Sequence, residues 1–306
     1  MYNKLLVKIN CEDILSKRLK DWLIGTAIVL IMIILIVILV NRVSSTREYE
    51  GVSLSAKGDK VAVVELNGPI YDSRNIVRQF KKYGEHKSVK AVLFRINSPG
   101  GAVSPSQEIY NAVKRVRDGG KPVVVSMGTV AASGGYYVSL AADTIMANPG
   151  STTGSIGVII EITNLSRLFT KLGIGFEVVK TGPFKDTGSP HRNLTQADRR
   201  FLQSYVDDAF EQFLKVVSEE RHMSMSDVRR LADGRVFTGH QARENGLIDV
   251  LGDYEDAVQL AAAMGGIEGE PTLVREVERH RSVYDLLFQE FSRVVRGTSS
   301  QVQYRL

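Results

Sequence analysis

The sequence predicts an α/β domain built on a mainly parallel sheet flanked by helices and preceded by one transmembrane helix. Three observations carry that expectation. Apolar runs of strand length alternate with amphipathic stretches of helix length through most of the chain after Lys60. The runs are continuously apolar, as strands covered on both faces are. Leu23 to Val40 is 18 residues without a charge, and a helix of that length rises roughly 27 Å at about 1.5 Å per residue, enough to span a bilayer.

The span is expected to stay in the mature chain. A cleavable secretory signal has a shorter apolar core, about 7 to 15 residues, and a small-residue cleavage site after it; here "VNRVSSTREYE" follows. Lys4, Lys8, Lys17, Arg18 and Lys20 precede the span, only Arg42 and Arg47 follow closely, and Trp22 sits where an interfacial anchor belongs. This bias points the N-terminus to the cytoplasm and the body to the other side of the cell membrane. The expected organisation is a cytoplasmic segment 1–22, a transmembrane helix 23–40, a linker 41–58 and an extracytoplasmic domain 59–306 with a helical C-terminal part. The linker mixes Ser, Gly and charge with no sustained apolar period.

The domain opens with "KVAVVEL" as a buried strand, "SRNIVRQFKKYGEH" as an amphipathic helix and "VKAVLFRIN" as a second strand. The order repeats: "SQEIYNAVKRVRDGG" is a helix, "KPVVVSMG" a strand, "TVAA" a turn and "GGYYVSLAAD" a helix. Short strands are expected at "DTIMANP" and "SIGVII", a helix at "NLSRLFTKLG" and a strand at "IGFEVVKTG". A long helix runs from Thr195 to His222, shorter ones cover Gly239–Gly246 and Asp253–Met264, and "GTSSQVQYRL" has the composition of a frayed end. The chain shows no internal duplication.

Composition narrows the function classes. The chain is 43% hydrophobic and 24% charged, with a formal charge of +5, the balance of a folded globular body. Its basic residues are interleaved with acids, so no nucleic-acid partner is expected. The single cysteine, Cys11, excludes an intramolecular disulfide framework and a cysteine metal cluster. No metal or cofactor is expected.

Two stretches carry chemistry. In "INSPGGAVS" a strand runs into Pro99, Gly100 and Gly101; such a turn serves as a tight connection, or leaves backbone N–H groups free at the ligand edge of a parallel sheet. In "TVAASGGYYVSLAAD", Ser133 falls at a helix N-terminus on the same edge, placed to cap the helix or to attack a substrate. Ala131, Ala132, Gly134 and Gly135 leave room for a peptide backbone, while Ala131 breaks the Gly-x-Ser-x-Gly elbow of α/β-hydrolases. A nucleophilic serine needs a base, either His or a lysine held neutral. His86, His191, His222, His240 and His280 all lie in polar text that reads as solvated surface. "VVKTGPFKDTGSP" offers Lys185, in a Gly, Pro and Thr turn after the expected strand Phe176–Lys180, and spacing alone does not choose between Lys185 and Lys180.

Together "INSPGG", "AASGGYYVSLAAD", "STTGSIGV" and "TGPFKDTGSP" resemble the signal peptide peptidase A family in its short, single-span form, over roughly residues 60–265. The resemblance implies a Clp protease/crotonase-like fold and a serine endopeptidase with a Ser/Lys dyad. It places the nucleophile at Ser133, the general base at Lys185, a supporting hydrogen bond to that lysine at Ser155, and the oxyanion hole at the N–H groups of Gly134 and of Gly100 or Gly101, with Gly101 preferred. It further implies a ring-shaped homo-oligomer in which neighbouring subunits share the dyad, and peptide substrates such as signal-peptide remnants or other apolar segments at the membrane bilayer. The Clp protease itself uses a histidine after the nucleophile helix, and the matching "ANPGSTTGSIGV" contains none. A neutral lysine base is far from the ordinary amine pKa of about 10.4 and requires a dry pocket or a nearby cation. Asp186 is an unfavourable neighbour unless its side chain points elsewhere. A non-catalytic membrane scaffold on the same fold is the alternative, and an acyl-CoA enzyme of crotonase type a weaker third.

Overall fold

The computed structural model describes residues 22–36 and 58–276. Helix α1, residues 22–36, belongs to a unit of its own and presents exposed apolar side chains such as Leu23, Ile28 and Leu35. Among the described residues no helix is long and apolar enough to cross a membrane. α1 covers the expected span as far as Ile36; its remaining residues 37–40, the linker residues 41–57 and the segments 1–21 and 277–306 lie outside the described residues.

The body is an α/β fold on one mixed, mostly parallel sheet. Its first strands, β1 (Lys60–Asn67), β2 (Val89–Ser98) and β3 (Val123–Ala132), lie side by side and parallel, joined by α2 (Arg74–Glu85) and α3 (Val103–Asp118). β3 then forks. Its first half, Val124–Met127, pairs with β4 (Thr144–Ala147), and its last residues, Val130–Ala132, pair with β5 (Thr152–Gly154). Among the described residues the sheet has eight strands in the order β6-β5-β3-β2-β1-β8, with β4 and β7 branching from β3. The added strands are β6 (Val236–Thr238), β7 (Val250–Leu251) and β8 (Thr272–Arg275), and the β5–β6 pair is antiparallel.

Both faces of the sheet are covered, as the continuous apolar runs require. One face carries Ala62, Val64, Phe94, Ile96 and Val125 into the main core, where α2 adds Ile76, Phe80 and Tyr83 and α3 adds Ile109 and Val113. Phe80 meets Phe94 edge-on at 5.0 Å, the geometry that aromatic quadrupoles prefer. The other face, Val61, Val63, Ala91, Leu93 and Val124, packs on α9 (Tyr254–Met264) through Ala257, Val258, Ala261 and Ala262. Small residues at that spacing let the helix settle close to the strands. Helix α4 (Gly134–Ser139) is buried along its whole length. Helix α6 (Gln196–Arg221) starts at a capping box, with Thr195 Oγ1 accepting from Asp198 N and the Asp198 carboxylate accepting from Thr195 N, and it packs Phe213, Leu214 and Val217 into the core.

Several local expectations are corrected. "TVAA" is the end of β3 and no turn, because β5 supplies its hydrogen-bonding partner there. "SIGVII" is not a strand; the strand lies just before it, at Thr152–Gly154, and Ile159 is 81% exposed. "IGFEVVKTG" forms no strand either, and pairs with no strand of the sheet among the described residues. Short helix α5 (Ser166–Lys171) stands where expected. The C-terminal part is not purely helical: β6, β7 and β8 complete the sheet between α7 (Met225–Leu231), α8 (Gly239–Glu244) and α9.

Candidate active site

Ser133 is the hinge between β3 and α4, and its backbone is strained. Its φ is 52° and ψ −117°, a conformation that costs a residue bearing a Cβ about 1–3 kcal/mol and persists only where its surroundings enforce it. They do so here: Ser133 N donates to Gly154 O at 2.8 Å, and Ser133 O accepts from Tyr137 N at 2.8 Å. The side chain makes no capping hydrogen bond. The capping alternative is therefore corrected, and the hydroxyl is presented, half-buried, to the groove beside it.

The Pro-Gly-Gly turn after β2 packs directly against this hinge. A Cβ on Gly100, whose φ is +99°, would lie 2.6 Å from Gly134 N and 2.9 Å from Ser133 Cβ. One on Gly134 would lie 2.7 Å from Ser106 Oγ and 3.2 Å from Gly101 N. Only glycine permits this approach, and it sets two backbone N–H groups side by side. Gly100 N is already engaged, donating to Ser98 Oγ at 3.2 Å. Gly101 N and Gly134 N have no acceptor among the described residues, which favours Gly101 over Gly100 as the second donor to a negative charge beside Ser133. A bridge from Ile70 to Gly101 anchors the turn, with Ile70 N donating to Gly100 O and Ala102 N to Ile70 O.

Ser133, Gly134, Gly101 and Ser155 line one groove of about 840 Å³. Ser155 follows β5 with φ 51°, and its N–H donates to Arg235 O at 2.8 Å. Apolar walls come from Tyr137, Ile156 and Val158 and, across the groove, from Phe210 and Phe213 of α6. Tyr137 packs edge-on against Phe213 at 5.1 Å, and burial pushes its phenol pKa up, keeping it neutral. The contribution of α6 to the groove went unread in the sequence, although Phe210 and Phe213 stand three residues apart on a helix.

Lys185 is not brought to this groove. It is exposed in the turn 181–188, with its N–H donating to Gly182 O at 3.3 Å, and its amine makes no hydrogen bond or ion pair among the described residues. Lys180, by contrast, is committed: its Nζ lies 2.7 Å from Asp186 Oδ1 and donates to Pro183 O at 3.2 Å. Lys180 is thus taken up by an ion pair within its own subunit, while the Lys185 amine is left without a partner among the described residues. Asp186 is turned to Lys180 and to Arg192; the Arg192 hydrogen bonds first, and that of Lys180 second, hold its carboxyl far below the usual range. His191 is also not the solvated histidine expected. It stacks on Phe176 at 4.6 Å, and its Nε2 is buried with no hydrogen-bond partner among the described residues. His280 lies outside the described residues, and among those described no group of three His, Cys, Asp or Glu is placed to hold a metal ion.

Comparison with known proteins gives the same direction. The model of peptidase family S49 matches residues 115–268, and that of the Clp protease family residues 51–153. A Synechocystis sp. protein named as a protease, slr0021, is 43% identical over 220 residues, covering 72% of this chain and 79% of its own. An Enterococcus faecium protein named as a signal peptide peptidase, SppA, is 38% identical over 216 residues, 66% of this chain and 63% of its own. A Methanocaldococcus jannaschii protein named as a protease, MJ0651, is 32% identical over 282 residues, 85% and 90% of the two chains.

Proposed function

The chain belongs to peptidase family S49, and on that premise we propose that it is a membrane-anchored serine endopeptidase in which Ser133 attacks the peptide carbonyl and Lys185 is the general base. The Ser133 Oγ proton passes to a neutral Lys185 amine as the Oγ–carbon bond forms. The N–H groups of Gly101 and Gly134 receive the developing oxyanion, and the lysine returns the proton to the leaving amine as the peptide bond breaks. Water then repeats the sequence on the acyl-enzyme. The observation that carries this reading is the strained, uncapped Ser133 beside two N–H groups that lack an acceptor among the described residues.

Ser155 lines the same groove and would hydrogen-bond the incoming amine without charging it. That amine comes from a neighbouring subunit of a ring-shaped homo-oligomer. In support, Lys185 is exposed and outside its own groove, and the segment leading to it exposes Leu168, Leu172, Ile174, Phe176 and Val179, an apolar surface suited to burial against a second copy. The apolar walls suit signal-peptide remnants or similar apolar segments. The chain crosses the cell membrane once, with its N-terminus cytoplasmic and the protease domain extracytoplasmic. Ser133→Ala and Lys185→Arg test the mechanism, because arginine cannot give up its proton. Both should abolish cleavage of an apolar peptide while the oligomer persists; cleavage unchanged in either sinks the dyad and points to another site, whereas a wild-type protein that cleaves nothing would be a non-catalytic scaffold.

A further inference from the structure

We infer that Arg192 is a positioning residue for Lys185: it fastens the 181–188 turn to the start of α6 and takes up the carboxylate adjoining the amine. The inference rests on the reading of Lys185 as the base. The Arg192 guanidinium holds two carboxylates at once. Its Nε and Nη2 donate to Asp186 Oδ2 at 3.0 Å and Oδ1 at 2.8 Å, while Nη1 donates to Asp198 Oδ2 at 2.7 Å. Such a fork fixes orientation as well as distance, which a lysine cannot do.

Asp198 is 2% exposed and belongs to the capping box of α6, so it is a fixed point. It also accepts from Thr187 Oγ1 at 2.6 Å, two residues after Lys185. Phe184, one residue before Lys185, stacks on Phe201 of α6 at 5.1 Å. The turn is thereby tied to α6 on both sides of the lysine. The electrostatic part follows from the same contacts. A carboxylate free to reach Lys185 would hold it as ammonium and remove the base. Both Asp186 oxygens are instead occupied, by Arg192 and Lys180. The charged and titratable groups in contact around the turn are Lys180, Asp186, His191, Arg192 and Asp198; the two acids and the two fixed cations balance.

The test is the pH dependence of kcat/KM, measured on the full chain in detergent with a fluorogenic apolar peptide. Arg192→Gln should move the acid limb to higher pH by about 1 unit, because Asp186, then held by Lys180 alone, has an oxygen free to pair with Lys185. Asp186→Asn added to Arg192→Gln should bring the limb back to its original position, since the competing carboxylate is gone. A uniform fall in rate with the limb unmoved would assign Arg192 to the fold alone and overturn the inference, as would a double variant whose limb stays raised. If Arg192→Gln does not assemble, Arg192→Lys must still raise the limb, because one ammonium cannot hold both carboxylates. An unmoved limb there, or loss of folding in both variants, overturns the proposal. Lys185→Ala is the independent control: full activity in it removes the base assignment itself, whatever the Arg192 variants do.

Discussion

Replacing Ser133 by glycine should make the protein more stable than replacing it by alanine, although both variants lose cleavage. Alanine keeps the Cβ and with it the strain of φ 52° and ψ −117°. Because the serine hydroxyl makes no cap bond, deleting it should itself be nearly neutral. Glycine relieves about 1–3 kcal/mol of backbone strain and gives back about 0.5–1 kcal/mol through the greater freedom of the unfolded chain. The balance favours glycine by about 1 kcal/mol, or roughly 2–4 °C in Tm for a body of this size. Scanning calorimetry of the two full-length variants under one condition reads the difference directly. Should the glycine variant melt at or below the alanine variant, no strain is stored at the hinge, and the argument that the fold holds this serine in a costly conformation to expose its hydroxyl fails.

Gly101→Ala should abolish cleavage and destabilise the body, because its Cβ would sit 2.2 Å from Ile70 O, a backbone atom that cannot step aside; retained activity would show that this N–H is not needed. Lys180→Met should leave far more activity than Lys185→Met in the same peptide assay, since Lys180 already serves Asp186, and the reverse order would exchange their roles. A further prediction concerns acid stability. Burial of Glu220 raises its pKa, but hydrogen bonds from Arg117, Lys114 and Tyr110 outweigh this and leave it lowered to about 2 from the usual 4.5. A carboxylate with a depressed folded pKa stabilises fully above its unfolded pKa and loses that contribution as pH falls through the folded one. Acid unfolding of the wild type should therefore steepen between pH 4.5 and about 2, and Glu220→Gln should lose on the order of 2 kcal/mol at neutral pH together with that dependence. Urea titrations at three pH values suffice, and a variant with the wild-type slope would remove Glu220 from the account.

The serine hinge and its glycine turn were legible because their chemistry is local. Pro99, Gly100 and Gly101 after an apolar run, and Ser133 among alanines and glycines, declare a tight turn and a close approach in the residue types themselves. The alternation of apolar runs and amphipathic stretches likewise determined the parallel sheet and the helices that cover it, while four short motifs carried the family resemblance. What depended on pairing was not legible. Whether "IGFEVVKTG" became a strand rested on whether a sheet edge took it up, and the edge beyond β5 went to β6, more than fifty residues later. That Lys180 pairs with Asp186 while the Lys185 amine has no partner among the described residues, and that α6 returns to wall the groove, belongs to the tertiary structure. The sequence by itself therefore determined the elements that a few neighbouring residues dictate, the Pro-Gly-Gly turn above all. Only the tertiary structure decided the partners, because a hydrogen-bond ladder or an ion pair is completed by atoms distant in the chain and leaves no mark on the residues at one end alone.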